Sequence, residues 1–212
     1  MTDKRKLTLF HAANSRSISA RLLLEELGAP YELQVLNLKS GENRQPAFLG
    51  INPMGKVPAI RHGDALITEQ PAIFIYLADL FSEAGLAPAL DDPDRGPYLR
   101  WMVYYGSCFE PALVDKSMSR DPAPLSRSPY GDYALVMQTI NDQLGKGPYM
   151  LGKRFTALDI LWGMALTWTT GFGIVQPTPV VKAYIDRFAE RPAYLRVKQW
   201  DVELAEKQAK PG

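Results

Sequence analysis

The sequence predicts a two-part molecule: an α/β unit with a mixed four-stranded sheet over residues 1–82, a linker at 83–96, and an all-helical unit over 97–212. Three observations carry this. Before residue 82, short strand-like runs alternate with runs at helical period, the pattern of an α/β layer fold. The composition then turns to Gly85, Pro88, Pro93, Gly96 and Pro97, with Asp91, Asp92 and Asp94 among them, which is linker chemistry. Beyond it, only helical periodicity recurs.

Taken in order, Lys6 to Phe10 reads as a buried strand, with His11 in the loop that follows. Residues 17–27 place Ile18, Leu22, Leu23 and Leu27 at helical spacing, and Gly28 stands where a C-terminal cap belongs. Tyr31 to Leu36 alternates as a second strand; Lys39 to Glu42 is a loop, and Gln45 to Ile51 is at most a short, irregular helix. Pro58–Arg61 and Ala65–Thr68 flank His62-Gly63-Asp64 as a hairpin. Glu69 to Phe81 is helical, because Pro71 falls in the first turn, where its missing N–H is no loss.

In the second half, residues 97–118 read as one aromatic-rich helix kinked at Pro111. Asp121 to Pro124 separates it from a helix at 129–145. Phe155-Thr156-Ala157-Leu158-Asp159-Ile160 is the strongest local signal. Thr156 stands at an N-cap, Asp159 lies three residues on, and Phe155 and Ile160 occupy staple positions. The helix it opens, to about Thr170, is apolar on every side, as expected of a bundle's central helix. Arg191-Pro192 splits two further helices at 178–190 and 193–207.

Charge and composition exclude several functions. Lys and Arg number 24 against 23 Asp and Glu, so neither half gathers phosphates and nucleic acid is not expected. One cysteine, Cys108, cannot form an internal disulfide, and with His11 and His62 far apart no zinc spacing arises, so no metal is expected. The N-terminal apolar run, Leu7 to Phe10, is too short for a signal-peptide core. No stretch approaches the roughly 20 apolar residues of a membrane helix. A soluble, cytoplasmic protein is the expectation.

Three segments sharpen the reading: Asn52-Pro53-Met54-Gly55-Lys56-Val57-Pro58-Ala59-Ile60, then Leu66 to Ile73 with Tyr76-Leu77, then Phe155 to Ile160. In this order and at these separations the chain resembles the glutathione transferases from about Leu7 to about Leu204. The resemblance implies a thioredoxin-like N-terminal domain, a cis Pro58, and a Val57 that pairs strand to strand with the cysteinyl unit of glutathione. It further implies that Glu69 receives the γ-glutamyl ammonium, and that Gln70, where the family usually has serine, takes the α-carboxylate at a helix N-terminus. Lys39 and Lys56 are the candidates for the glycyl carboxylate, Lys56 first.

A thiol with a pKa of about 8.5 is mostly protonated at neutrality, and a hydroxyl donor at a helix N-terminus beside a cation lowers that value. In serine-type members a hydroxyl four residues before an arginine does this, which counts back from Arg21 to Ser17. Other branches count five, onto Arg16, which cannot serve but can help electrostatically. Ser15 and Asn14 therefore stay open as the sulfur contact, and either serine can equally be an N-cap.

By the same resemblance, Trp101, Tyr104, Tyr105 and Cys108 on the long helix, with Phe172, line a pocket for a small hydrophobic electrophile, although an aromatic stripe is equally core. Cys108 itself reads as an inert buried thiol. The function implied is a transferase that conjugates glutathione, as co-substrate, to such electrophiles, in a symmetric homodimer. Two alternatives stand beside it: glutathione-dependent disulfide or peroxide reduction, without a Cys-x-x-Cys pair, and a non-catalytic binding or assembly module.

Overall fold

The computed structural model describes residues 6–121 and 123–209. The N-terminal segment read for a targeting signal, up to Arg5, and Pro122 in the expected separator lie outside the described residues. The chain divides into two compact units, Met1–Ala84 with Arg191–Gly212, and Gly85–Glu190.

The first unit opens with β1 (Leu7–His11), α1 (Ser17–Leu27) and β2 (Tyr31–Val35). A 3-10 turn, Glu42–Arg44, leads into the four-residue α2 (Pro46–Leu49); β3 (Ala59–His62), β4 (Ala65–Ile67) and α3 (Gln70–Leu80) follow. The strand order is β2-β1-β3-β4, with β1 parallel to β2 and antiparallel to β3, a mixed sheet as expected. Leu7, Leu9 and Phe10 of β1 are fully buried, as are Leu23 and Leu24 of α1 and Ile73, Phe74 and Leu77 of α3. Gly28 ends α1 at φ 63°, the left-handed conformation that glycine adopts without a Cβ clash. The Val57–Pro58 peptide bond is cis.

The last helix, α9 (Pro192–Ala209), belongs to this unit, whereas a boundary drawn from composition puts everything after residue 97 in the helical half. The reason is specific pairing with α1. Arg191 forks onto Glu26 with two 2.7 Å hydrogen bonds, and the Arg21 guanidinium lies 4.6 Å from the Trp200 ring. Rising numbers on α9 meet falling numbers on α1, so the two helices run antiparallel.

The second unit is helical: α4 (Arg95–Tyr104), α5 (Glu110–Ser117), α6 (Tyr133–Leu144), α7 (Ala157–Gly171) and α8 (Pro179–Ala189). The single helix expected over 97–118 is instead α4 and α5 joined by a π turn at Tyr105–Phe109. Pro111, in the first turn of α5, has no N–H to give the preceding turn, so the ladder widens there rather than kinking at the proline itself. α6 begins later than expected because Asp132 caps it, accepting the Leu135 N–H at 2.8 Å.

Asp159 anchors α7 at its N-terminal end. Its carboxylate accepts N–H groups of Thr156 at 2.9 Å and Met150 at 2.8 Å, and the Tyr184 hydroxyl at 3.0 Å. The helix is largely buried, as expected of a central one, but Trp168 is exposed. The Phe188 ring of α8 sits 2.5 Å from where a Cβ would stand on Gly163, so only a glycine admits that ring.

Candidate functional site

Several chain segments gather at one end of the sheet. Register fixes the first two: Phe10 pairs with Ala59, so the end of β1 at His11 and the cis Val57–Pro58 turn that leads into β3 lie at the same end of the sheet. β2 ends at the same place, since Val35 pairs with His11 in parallel and the Leu36 N–H donates to the His11 carbonyl at 2.8 Å. The start of α3 joins them through the Gln70 side-chain amide, which donates to Ser19 Oγ on α1.

The turn from β1 into α1 is built on two hydroxyls. Ser15, half-buried, donates to the Ala12 carbonyl at 2.7 Å, and its Oγ lies 2.6 Å from Ser17 Oγ. Ser17 is fully buried. Its oxygen accepts the Ala12 N–H at 3.0 Å and stands 2.8 Å from His11 Nδ1. The spacing from Arg21 points to Ser17, yet a hydroxyl so enclosed has no face left for a ligand. The accessible hydroxyl of the turn belongs to Ser15. Asn14, exposed at φ 54°, gives its N–H to Asp201 at 3.0 Å, and Arg16 is an exposed cation at the mouth of α1.

The loop before β3 is fixed from beneath. Buried Asn52 accepts the Met54 N–H at 3.1 Å and donates to the Lys56 carbonyl at 2.9 Å. Gly55 turns at φ 59°, where a Cβ would fall 2.7 Å from the Asn43 carbonyl. Lys56 and Lys39 are exposed, and half-buried Val57 packs against the buried cluster of Phe10, Ala12, Leu36, Phe48 and Ala59. Glu69, exposed at the N-cap of α3, holds φ 63° and ψ 113°, a conformation that costs a non-glycine residue about 1–3 kcal/mol and clusters at ligand sites.

In the helical unit, Trp101 and Tyr105 are core residues, 1% and 4% exposed. Both rings meet Trp162 edge-on, at 5.9 and 5.5 Å. Large rings at helical spacing bury most of their area, and here that outweighs any role in a pocket. Tyr104 is half-buried, and burial raises its hydroxyl pKa. Cys108 is half-buried rather than enclosed, with its sulfur 3.5 Å from the Ser107 hydroxyl. Phe172 is exposed at the end of α7 against Trp168.

His11 and Asp201 were missed by sequence reasoning, although both carry a signal. His11 continues the period of Leu7 and Leu9, the buried face of β1, instead of starting a loop. Asp201 follows Tyr194 and Val197 at seven and four residues, on the buried stripe of α9. A carboxylate in that phase is an anomaly.

Among the described residues no cluster of three or more His, Cys, Asp or Glu is placed to hold a metal ion. No helix among them is long and apolar enough to cross a membrane.

Residues 5–79 match the family model for the glutathione S-transferase N-terminal domain. Glutathione S-transferase F13 of Arabidopsis thaliana is 28% identical over 191 residues, covering 83% of this chain and 87% of that protein. Two solved structures are similar. A glutathione transferase homolog from Sulfitobacter with bound glutathione has TM-score 0.75 and 27% identity, over 92% of this chain and 98% of that one. A sphingomonad glutathione S-transferase complexed with glutathione has TM-score 0.76 and 28% identity, with the same coverage.

Proposed function

We propose that this chain, whose residues 5–79 match the glutathione S-transferase N-terminal domain and whose relatives are glutathione S-transferases, is a glutathione transferase whose N-terminal unit binds glutathione, keeps its sulfur as thiolate and directs it at a small hydrophobic electrophile. The observation that carries the chemistry is the half-buried Ser15 hydroxyl at the opening of α1. It donates to the sulfur, while Arg16 and the positive end of the α1 dipole favour the anion. Val57 offers its backbone to the cysteinyl unit, Glu69 meets the γ-glutamyl ammonium, Gln70 meets the α-carboxylate at the start of α3, and Lys56 or Lys39 meets the glycyl carboxylate. Tyr104, Cys108 and Phe172 keep exposed surface for the electrophile. A cytoplasmic, symmetric homodimer that detoxifies such electrophiles completes the proposal by family resemblance.

The test is thiolate absorbance of bound glutathione against pH, beside conjugation of a chlorinated dinitrobenzene and reduction of hydroxyethyl disulfide. Ser15→Ala is expected to raise the bound thiol's pKa by roughly one unit or more while glutathione affinity stays nearly unchanged. A titration identical to that of the unaltered protein would remove Ser15 from the sulfur. Faster turnover of the disulfide than of the nitrobenzene would make the enzyme a reductase.

A further inference from the structure

Behind Ser15 the hydrogen bonds continue inward to a buried base, whose proposed role rests on Ser15 as the donor to sulfur. His11 is fully buried, with polar atoms on both sides of its ring: Ser17 Oγ at 2.8 Å from Nδ1 and Asp201 Oδ1 at 3.2 Å from Nε2. Asp201, itself buried, also accepts the Asn14 N–H, which ties α9 to the turn. Among the described residues no other charged group lies within ion-pair distance of either side chain. Docking of α9 already has the Arg191–Glu26 fork and the Trp200 contact, and an enclosed acid and imidazole add a desolvation cost that apolar residues would not.

The order of groups is Asp201, His11, Ser17, Ser15, with each neighbour at hydrogen-bond or ion-pair distance. We infer that the His11–Asp201 pair receives the thiol proton of glutathione through Ser17 and Ser15. At the start, with glutathione bound, the Ser15 hydroxyl turns from the Ala12 carbonyl to donate to Ser17 Oγ, and Ser17 turns from the same carbonyl, 3.2 Å away, to donate to Nδ1. Nε2 keeps its own hydrogen, at ion-pair distance from Asp201 but without a completed hydrogen bond to it. As the sulfur–hydrogen bond breaks, its proton passes to Ser15, the Ser15 proton to Ser17, and the Ser17 proton to Nδ1. The products are a thiolate accepting from Ser15 and an imidazolium balanced by Asp201, with no proton gained or lost by the complex. The direction of donation reverses along the chain, so Ser15 ends with its proton aimed at sulfur. His11 and Asp201 touch no substrate and are positioning residues acting through the serines.

The experiment counts protons released into weakly buffered solution near neutrality, and thiolates formed, as glutathione is added. The unaltered protein is expected to release fewer protons than it forms thiolates. His11→Asn keeps an amide beside Ser17 but cannot take the proton. It should release one proton for every thiolate, form about tenfold less thiolate at the same pH, and lower kcat without changing KM for glutathione. Ser15→Ala with His11→Asn should lose no more than Ser15→Ala alone, a non-additivity that a merely structural histidine would not give. One proton per thiolate from the unaltered protein overturns the inference and needs no variant to fold. Thiolate lost in Ser15→Ala but retained in His11→Asn overturns this inference alone. Thiolate absent in the unaltered protein, or unaffected by Ser15→Ala, overturns the assignment of Ser15 to the sulfur.

Discussion

At the scale of single residues, Glu69 joins strain to binding. Its backbone sits at φ 63° and ψ 113°, where only glycine is comfortable, and its carboxylate opens α3 in the exposed position proposed for the ligand's ammonium. The two effects separate by substitution. Glu69→Ala and Glu69→Gly are both expected to weaken glutathione binding by roughly 1–3 kcal/mol, since each removes a charge-assisted contact. Only the glycine variant relieves the backbone, so it should be more stable than the alanine variant by about 1 kcal/mol. Calorimetric titration with glutathione and thermal melts of both variants read the two effects. Equal affinity for the parent and Glu69→Ala would take the carboxylate out of the site, and equal melts for the two variants would show the backbone relaxed by its surroundings.

At the scale of elements, the sequence was most legible where a local rule decides the outcome. Gly28 ends α1, the Thr156–Asp159 pair opens α7, and the His62-Gly63-Asp64 turn joins β3 to β4, each from chemistry within a few residues. It was less legible where a tertiary contact decides. The π turn before Pro111, the enclosure of Ser17 and the burial of His11 depend on what packs above them, which no window of local sequence contains. Asp159 shows both levels in one side chain. Its capping role is readable, but its burial pushes the carboxyl up to about 6, against the Met150, Thr156 and Tyr184 donors that favour the charged form. A carboxyl whose folded pKa is raised binds its proton more tightly in the folded chain. Its stabilisation is therefore full below about 4, the ordinary value, and is lost as pH rises through about 6. Denaturant unfolding of the parent is expected to lose stability relative to Asp159→Asn over that window, by at most about 1.4 kcal/mol per pH unit, and to run parallel above it. A constant difference from pH 4 to 6 would mean that the donors, not burial, govern this group.

At the scale of the whole molecule, the unit that carries the proposed chemistry is discontinuous in sequence, because α9 returns to it after the helical unit has been completed. Arg191 with Glu26 lies 165 residues apart along the chain, and Asn14 with Asp201 lies 187. Such contacts close last in entropy terms, since the loop between them must be ordered before they are rewarded. Yet once formed they make α9 part of the cooperative unit built on β1 and α1, and not of the bundle that precedes it in sequence. Native-state hydrogen exchange is expected to show this directly. As denaturant is raised, the buried-face amides of α9 around Val197 and Asp201 should open with the same free energy and slope as those of β1 and α1. Glu26→Ala with Arg191→Ala should lower protection in all three together while leaving α7 and α8 unchanged. Should α9 instead exchange with α8, or fray by itself at low denaturant, its helix is a passive tail, and Asp201 cannot be a fixed partner for the histidine at the end of β1.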